Sequence, residues 1–131
     1  MANIINLAQH AIDSVPELEL LPAGTEAELR IINILCGEDK NGDNYIMPFF
    51  DVPDEPNVQE ISKYMVEPAE GMPESKYNKA RRDLLAFGQA FDIDWSGEVN
   101  LDEQAGKTGY AILGVSKDGT QNTIRKFLGG R

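Results

Sequence analysis

Tyr45, Phe49, Tyr64, Tyr110 and Phe127 fall on segments that read as extended chain, with Lys40, Lys63, Lys107, Lys117, Arg125 and Lys126 interleaved among them. Rings and cations in this pattern suit one kind of chemistry. An unpaired base offers a π-face that a ring can cover, and its phosphate is neutralised by a nearby ammonium or guanidinium. Tyrosine suits such a half-wet position because its hydroxyl stays in water while its ring packs. Phe49 and Phe127 are equally at home in a core.

The charge is unevenly divided. From Lys107 to Arg131 five cations stand against Asp118 alone, a net of +4; the whole chain carries −10, which leaves −14 on residues 1–106. Such a division reserves the C-terminal stretch for a partner, a polyanion first. A sequence pI near 4.4 argues against a duplex binder that draws its affinity from many phosphate contacts. It leaves room for a single-strand binder that adds stacking to a few local cations.

Other chemistries find little support. One histidine, His10, and one cysteine, Cys36, cannot build a structural zinc site of the usual kind. Cys36 closes the apolar run Leu29–Cys36 and is expected to be a buried, inert thiol. A lone cysteine excludes an internal disulfide and fits a reducing cytoplasm. Gly106-Lys107-Thr108 has the ending of a phosphate-binding loop, but Leu101 stands where its first glycine belongs. Asp39–Phe50 begins like a calcium loop, with Asp39, Asn41 and Asp43 at ligand positions. It then has Asn44 in place of the turn glycine and Phe50 in place of the bidentate glutamate. A turn rich in Asn, Asp and Gly accounts for the same residues. The Asp92/Asp94 and Asp102/Glu103 pairs could hold a metal for phosphodiester hydrolysis, but acidic connectors are ordinarily solvated. No catalytic residue, metal or cofactor is expected, and the chain reads as non-enzymatic.

The elements that must position the rings follow from periodicity. At 131 residues, 41% hydrophobic and 26% charged, one soluble domain is expected. Residues 1–20 read as an N-terminal arm or short helix, with Ile4, Leu7, Ala8, Ala11 and Ile12 at helical spacing. They lack the basic start and apolar run of a signal peptide, and no stretch approaches the length of a membrane span. Glu26–Cys36 is a strand, either central and buried on both faces or one that curls and changes environment. Asn44–Val52 is a second strand, with Tyr45, Met47 and Phe49 on one face; Pro48 should put it at an edge or a bulge. Val58–Val66 is a third. Ser75 is the expected N-cap of a helix over Lys76–Phe91, whose Tyr77, Ala80, Leu84, Phe87 and Phe91 share a face. Tyr110–Val115 and Thr123–Leu128 then form a hairpin about Asp118-Gly119, where both central residues can take φ > 0. Strand, strand, strand, helix, strand, strand is the layout of an OB-fold, a five-stranded Greek-key barrel over residues 21–131.

Several short motifs support that layout in series. Leu21-Pro22-Ala23-Gly24 leads into the first strand, and Lys40-Asn41-Gly42-Asp43-Asn44-Tyr45-Ile46 opens the second. Leu84-Leu85-x-Phe87 lies in the helix, Gly106-Lys107 precedes the hairpin, and Asn122-x-Ile124-x-x-Phe127 closes it. This series resembles phage-encoded single-stranded-DNA-binding proteins of the OB-fold type, over roughly residues 20–129. The resemblance implies sequence-tolerant binding of single-stranded DNA during phage replication or recombination, in the host cytoplasm, alongside other phage replication or recombination proteins. The acidic tail by which better-known bacterial single-strand binders recruit partners has no counterpart at Phe127–Arg131. The alternative is the same barrel serving as a protein-interaction module without nucleic-acid binding, which the acidity of residues 1–106 favours. Monomer and dimer are both open.

Overall fold

Alternation begins at Glu26. Ala27, Leu29 and Ile31 are buried while Glu26 and Arg30 face out, the period-two signature of a strand with one face on a core. This strand, β1, spans Glu26–Glu38. Ile31 stands opposite Phe50 and Asn33 opposite Phe49, so Ile32 is the extra residue of a bulge. Beyond the bulge Ile34 is the last buried residue, and Leu35–Glu38 are exposed. The strand therefore changes environment along its length rather than being buried on both faces. Cys36, expected inside, is exposed, because the end of β1 overhangs the core with no layer to cover it. The computed structural model describes residues 3–129; Arg131, counted among the C-terminal cations, lies outside the described residues.

The second strand, β2, spans Asn44–Asp51 and returns along β1. Ile46, Pro48 and Phe50 point inward. β2 is interior rather than an edge strand, and the effect of Pro48 falls on its neighbour. The expected third strand is divided into β3, Ile61–Ser62, opposite Phe49 and Phe50, and β4, Met65–Val66, opposite Tyr45 and Ile46. Lys63-Tyr64 faces Met47-Pro48, where proline has no N–H to offer, and the ladder breaks there. The Lys63 N–H still donates to the Pro48 carbonyl at 3.2 Å.

The one α-helix among the described residues, α1, spans Glu74–Phe91. It starts earlier than expected, directly after Pro73, and Ser75 lies inside its first turn rather than capping it. Pro73 is extended and its carbonyl accepts the Tyr77 N–H at 2.9 Å, so the helix begins as soon as the proline is passed. Ala80, Leu84, Phe87 and Phe91 are buried. The helix stops at Asp92, which takes a left-handed conformation at φ 60. Its last turn lies on the final hairpin so closely that a Cβ at Gly109 would come within 2.4 Å of the Ala90 carbonyl oxygen.

That hairpin comprises β5, Thr108–Val115, and β6, Asn122–Leu128. Its turn is larger than the two-residue form expected: only Gly119, not Asp118, has positive φ, and the Ser116 N–H donates to the Gln121 carbonyl. The Asp118 carboxylate closes the loop by accepting from the Ser116 and Thr120 hydroxyls and the Thr120 N–H. Arg125 is the extra residue of a second bulge, since Ile112 pairs with Lys126 and Leu113 with Ile124. This bulge turns Phe127 inward. Every pair among Phe50, Phe87, Phe91 and Phe127 has ring centroids between 5.2 and 6.2 Å apart.

The protein is mainly β, with one helix on an antiparallel sheet of six strands in the order β3-β2-β1-β5-β6, β4 also pairing with β2. The sheet is not closed: β3 and β6 lie side by side without a hydrogen-bonded ladder. Among the described residues no helix is long and apolar enough to cross a membrane. Residues 3–19 run along the outside as an arm with two short 3-10 turns, Ala8–His10 and Ile12–Ser14, and no α-helix. The arm joins the body at Glu19, which bridges to Val58, and at Leu21, whose N–H and carbonyl both bind the buried Asn122 side chain.

Candidate nucleic-acid interface

The unbroken alternation of β2 sends Tyr45, Met47 and Phe49 to the outer face of the sheet, each half-buried. Opposite them on β1 stand Gly37, Leu35 and Asn33. The glycine matters: a Cβ at Gly37 would lie 3.2–3.3 Å from the Tyr45 ring and hydroxyl, so the ring rests against β1 where no side chain intervenes. Tyr64, placed at the break between β3 and β4, is exposed, and its ring centroid lies 5.5 Å from that of Tyr45. Leu35 is 45% exposed beside them. Three rings, a methionine and a leucine thus form one outward strip.

Three carboxylates beside this strip are engaged, while Glu38 and Glu67 at its Tyr45 end are exposed. Asp39 accepts the Tyr64 hydroxyl as well as the backbone N–H groups of Asn41 and Asp43. The bond from Tyr64 holds the Asp39 carboxyl below its ordinary range and pushes the phenol up to about 12. Asp43 takes the Lys76 ammonium at 2.5 Å. Both Asp51 carboxylate oxygens accept from one edge of the Arg30 guanidinium, Nε–H at 3.0 Å and Nη2–H at 2.5 Å, which raises the arginine further. These contacts lie at or near the surface, with Asp43 part-buried, and add little to stability; they fix side-chain directions, and Lys76 and Arg30 offset the charges of Asp43 and Asp51. Arg30 was not among the cations singled out by sequence, although its outward parity in β1 was a usable signal.

A pH titration of tyrosinate absorbance tests this network. In Asp39→Asn the Tyr64 step is expected to fall from about 12 towards the ordinary phenol value of 10.0. The bond favours the protonated phenol, so its contribution to stability is complete below the unfolded value near 10 and is lost as pH rises through about 12. At the acid end the Asp39 contribution holds above its unfolded value and disappears as pH falls through the depressed folded one. An unmoved Tyr64 step would place the cause elsewhere.

The other candidates are dispersed. Lys63, Arg125 and Lys126 meet at the seam between β3 and β6, around a cavity of about 240 Å³ that Asp83 and Ala86 of α1 also line. Lys40 and Lys117 are exposed in the 39–43 and 116–121 turns. Tyr110 is outward on β5 between Glu28 of β1 and Leu128 of β6, so a carboxylate neighbours that ring. Two residues are placed for structural work. The Lys107 ammonium donates to the Asp92 carbonyl at 2.7 Å, capping the C-terminal end of α1 where carbonyls lack helical partners and the dipole is negative. Phe127 is 8% exposed; a stacking platform needs an open face, and its ring is packed against three others.

A second aromatic and cationic grouping lies on the helix, whose Arg81 and Arg82 the sequence sets apart from the barrel's groove. On the outer side of α1, Arg81 lies over the Tyr77 ring at 5.3 Å, and both line a cavity of about 500 Å³ with Trp95. Trp95 follows the helix end Phe91 by four residues, and the chain folds back so that its indole N–H donates to the Leu84 carbonyl at 2.8 Å. Among the described residues no group of His, Cys, Asp or Glu is placed to hold a metal ion.

No protein-family model matches the chain, and no curated protein matches it.

Proposed function

We propose that this chain is a non-enzymatic single-stranded-DNA-binding protein that takes bases on the outer strip of β1, β2 and the β3–β4 segment. The observation that carries this reading is the placement of the half-buried Tyr45 and Phe49 and the exposed Tyr64 on one outward face, beside which Asp39, Asp43 and Asp51 are each engaged. Stacked bases would lie on the strip, and Lys40, Lys63, Arg125 and Lys126 would serve phosphates along the path.

The fold is read here as an OB barrel opened at one seam. The order β3-β2-β1-β5-β6, with β3 beside β6, is that of a five-stranded barrel whose closing ladder is missing. In such barrels the second and third strands and the loops after the first and fourth take oligonucleotides, which correspond here to the strip and to the turns carrying Lys40 and Lys117. With the sequence resemblance, this supports a role in phage replication or recombination within an infected cell.

Anisotropy of a labelled oligo-dT tests the proposal. Binding at micromolar or tighter concentration is expected at low salt. It should weaken with a slope of about −0.7 per phosphate contacted, for a small number of contacts. No change in anisotropy at low salt would remove it. The second reading, an interaction module of the same fold, draws on Glu28 beside Tyr110 and on the −14 of residues 1–106. A pull-down recovering one protein partner, together with silent anisotropy, would favour it.

A further inference from the structure

We infer that two copies of this chain exchange N-terminal arms, each arm lying in the groove on the outer side of the other copy's α1. Two features of one chain, each incomplete alone, match each other. The arm exposes Ile4, Ile5, Leu7, Ile12, Val15 and Leu18, from 48% to 91%, a run of apolar surface that a soluble chain does not ordinarily leave in water. The groove is formed by Tyr77, Leu85 and Trp95 with Arg81 and Arg82, around a cavity of about 500 Å³. A neighbouring cavity of about 420 Å³ shares Leu85 and Trp95 and continues to Asp92 and Asp94. Leu85 is 56% exposed and Tyr77, on the same side of the helix, 37%.

The charges select the occupant and its direction. Along the groove, arginines occupy one end and carboxylates the other. Along the arm, residues 3–12 hold no carboxylate, whereas Asp13 and Glu17 follow. Laid with Asp13 and Glu17 against Arg81 and Arg82, the arm brings its carboxylate-free half, Ile4–Ile12, to the Leu85–Trp95 surface and the Asp92 end. The arm is longer than the groove: fourteen residue steps from Leu18 to Ile4 span up to about 50 Å, against about 17 Å of helix from Arg81 to Asp92. Because one chain carries both halves of the match, a reciprocal two-fold exchange closes without leaving a free arm or groove.

Sedimentation velocity on the full chain without nucleic acid tests the exchange, separately from the DNA-binding reading. A dimer is expected at tens of micromolar. Asp13→Lys with Glu17→Lys in the arm, or Arg81→Glu with Arg82→Glu in the groove, should each weaken self-association by tenfold or more. Circular dichroism should be unchanged, since all four side chains are exposed. Mixed in equal amounts, the two variants should recover the dimer, because each arm then meets a groove of opposite sign. A monomeric wild-type chain, a dimer indifferent to both reversals, or a mixture that stays monomeric would each overturn the inference.

Discussion

Tyr45→Ala is expected to weaken oligo-dT binding by roughly 5- to 150-fold, the equivalent of about 1–3 kcal/mol for one lost stacking platform. Tyr45 is central to the outer strip, with Gly37 opposite, Tyr64 at 5.5 Å and Met47 and Phe49 further along β2. The ring is half-buried against a strand that offers no side chain at that point. Its removal therefore takes away exposed stacking surface and little of the core. Tyr45→Phe keeps the ring and should bind nearly as the parent does, whereas Phe49→Ala should fall within the same range as Tyr45→Ala. Anisotropy titrations at fixed salt check these values, with thermal melts confirming that each variant folds. If Tyr45→Ala binds as well as the parent while Tyr77→Ala does not, the bases lie on the helix side.

Phe87→Ala should have the largest effect on stability. Phe87 is fully buried, touches the rings of Phe50, Phe91 and Phe127, and approaches Trp95 at 6.3 Å. Truncating a phenylalanine in such a place costs about 3–5 kcal/mol, transfer and cavity terms together. Domains of this size are typically stable by only about 5–15 kcal/mol. The melting temperature should fall by about 10–20 °C, and the urea midpoint should fall without a change in slope. A loss below about 1 kcal/mol would mean that the aromatic cluster is not the centre of the core.

What could be read from sequence tracks how local its cause is. Tyr45, Met47 and Phe49 share an outer face because β2 alternates without interruption, and periodicity alone carries that inference. Phe127 shows the opposite case. Strict alternation from the buried Ile124 would put residue 126 inside and 127 outside; the bulge at Arg125 reverses both. A bulge is decided by pairing across strands, and nothing in the residues near Arg125 announces it. The bulge at Ile32 likewise carries the inward face of β1 on to Ile34. Pro48 was recognised as a ladder breaker, but its effect landed on the strand beside it, dividing β3 from β4. Lys107 reads as a phosphate partner from its position at the basic hairpin. Its contact with Asp92 depends on the helix end packing beside β5, a long-range arrangement that composition does not reveal.

Photocrosslinking of a halogenated deoxyuridine oligonucleotide, with the adducts mapped by peptide mass spectrometry, tests the central claim most directly. The account predicts adducts at Tyr45, Phe49 and Tyr64, reduced as salt is raised. Adducts confined to Tyr77 and Trp95 on the helix side, or binding with no adduct anywhere on β2, would contradict it.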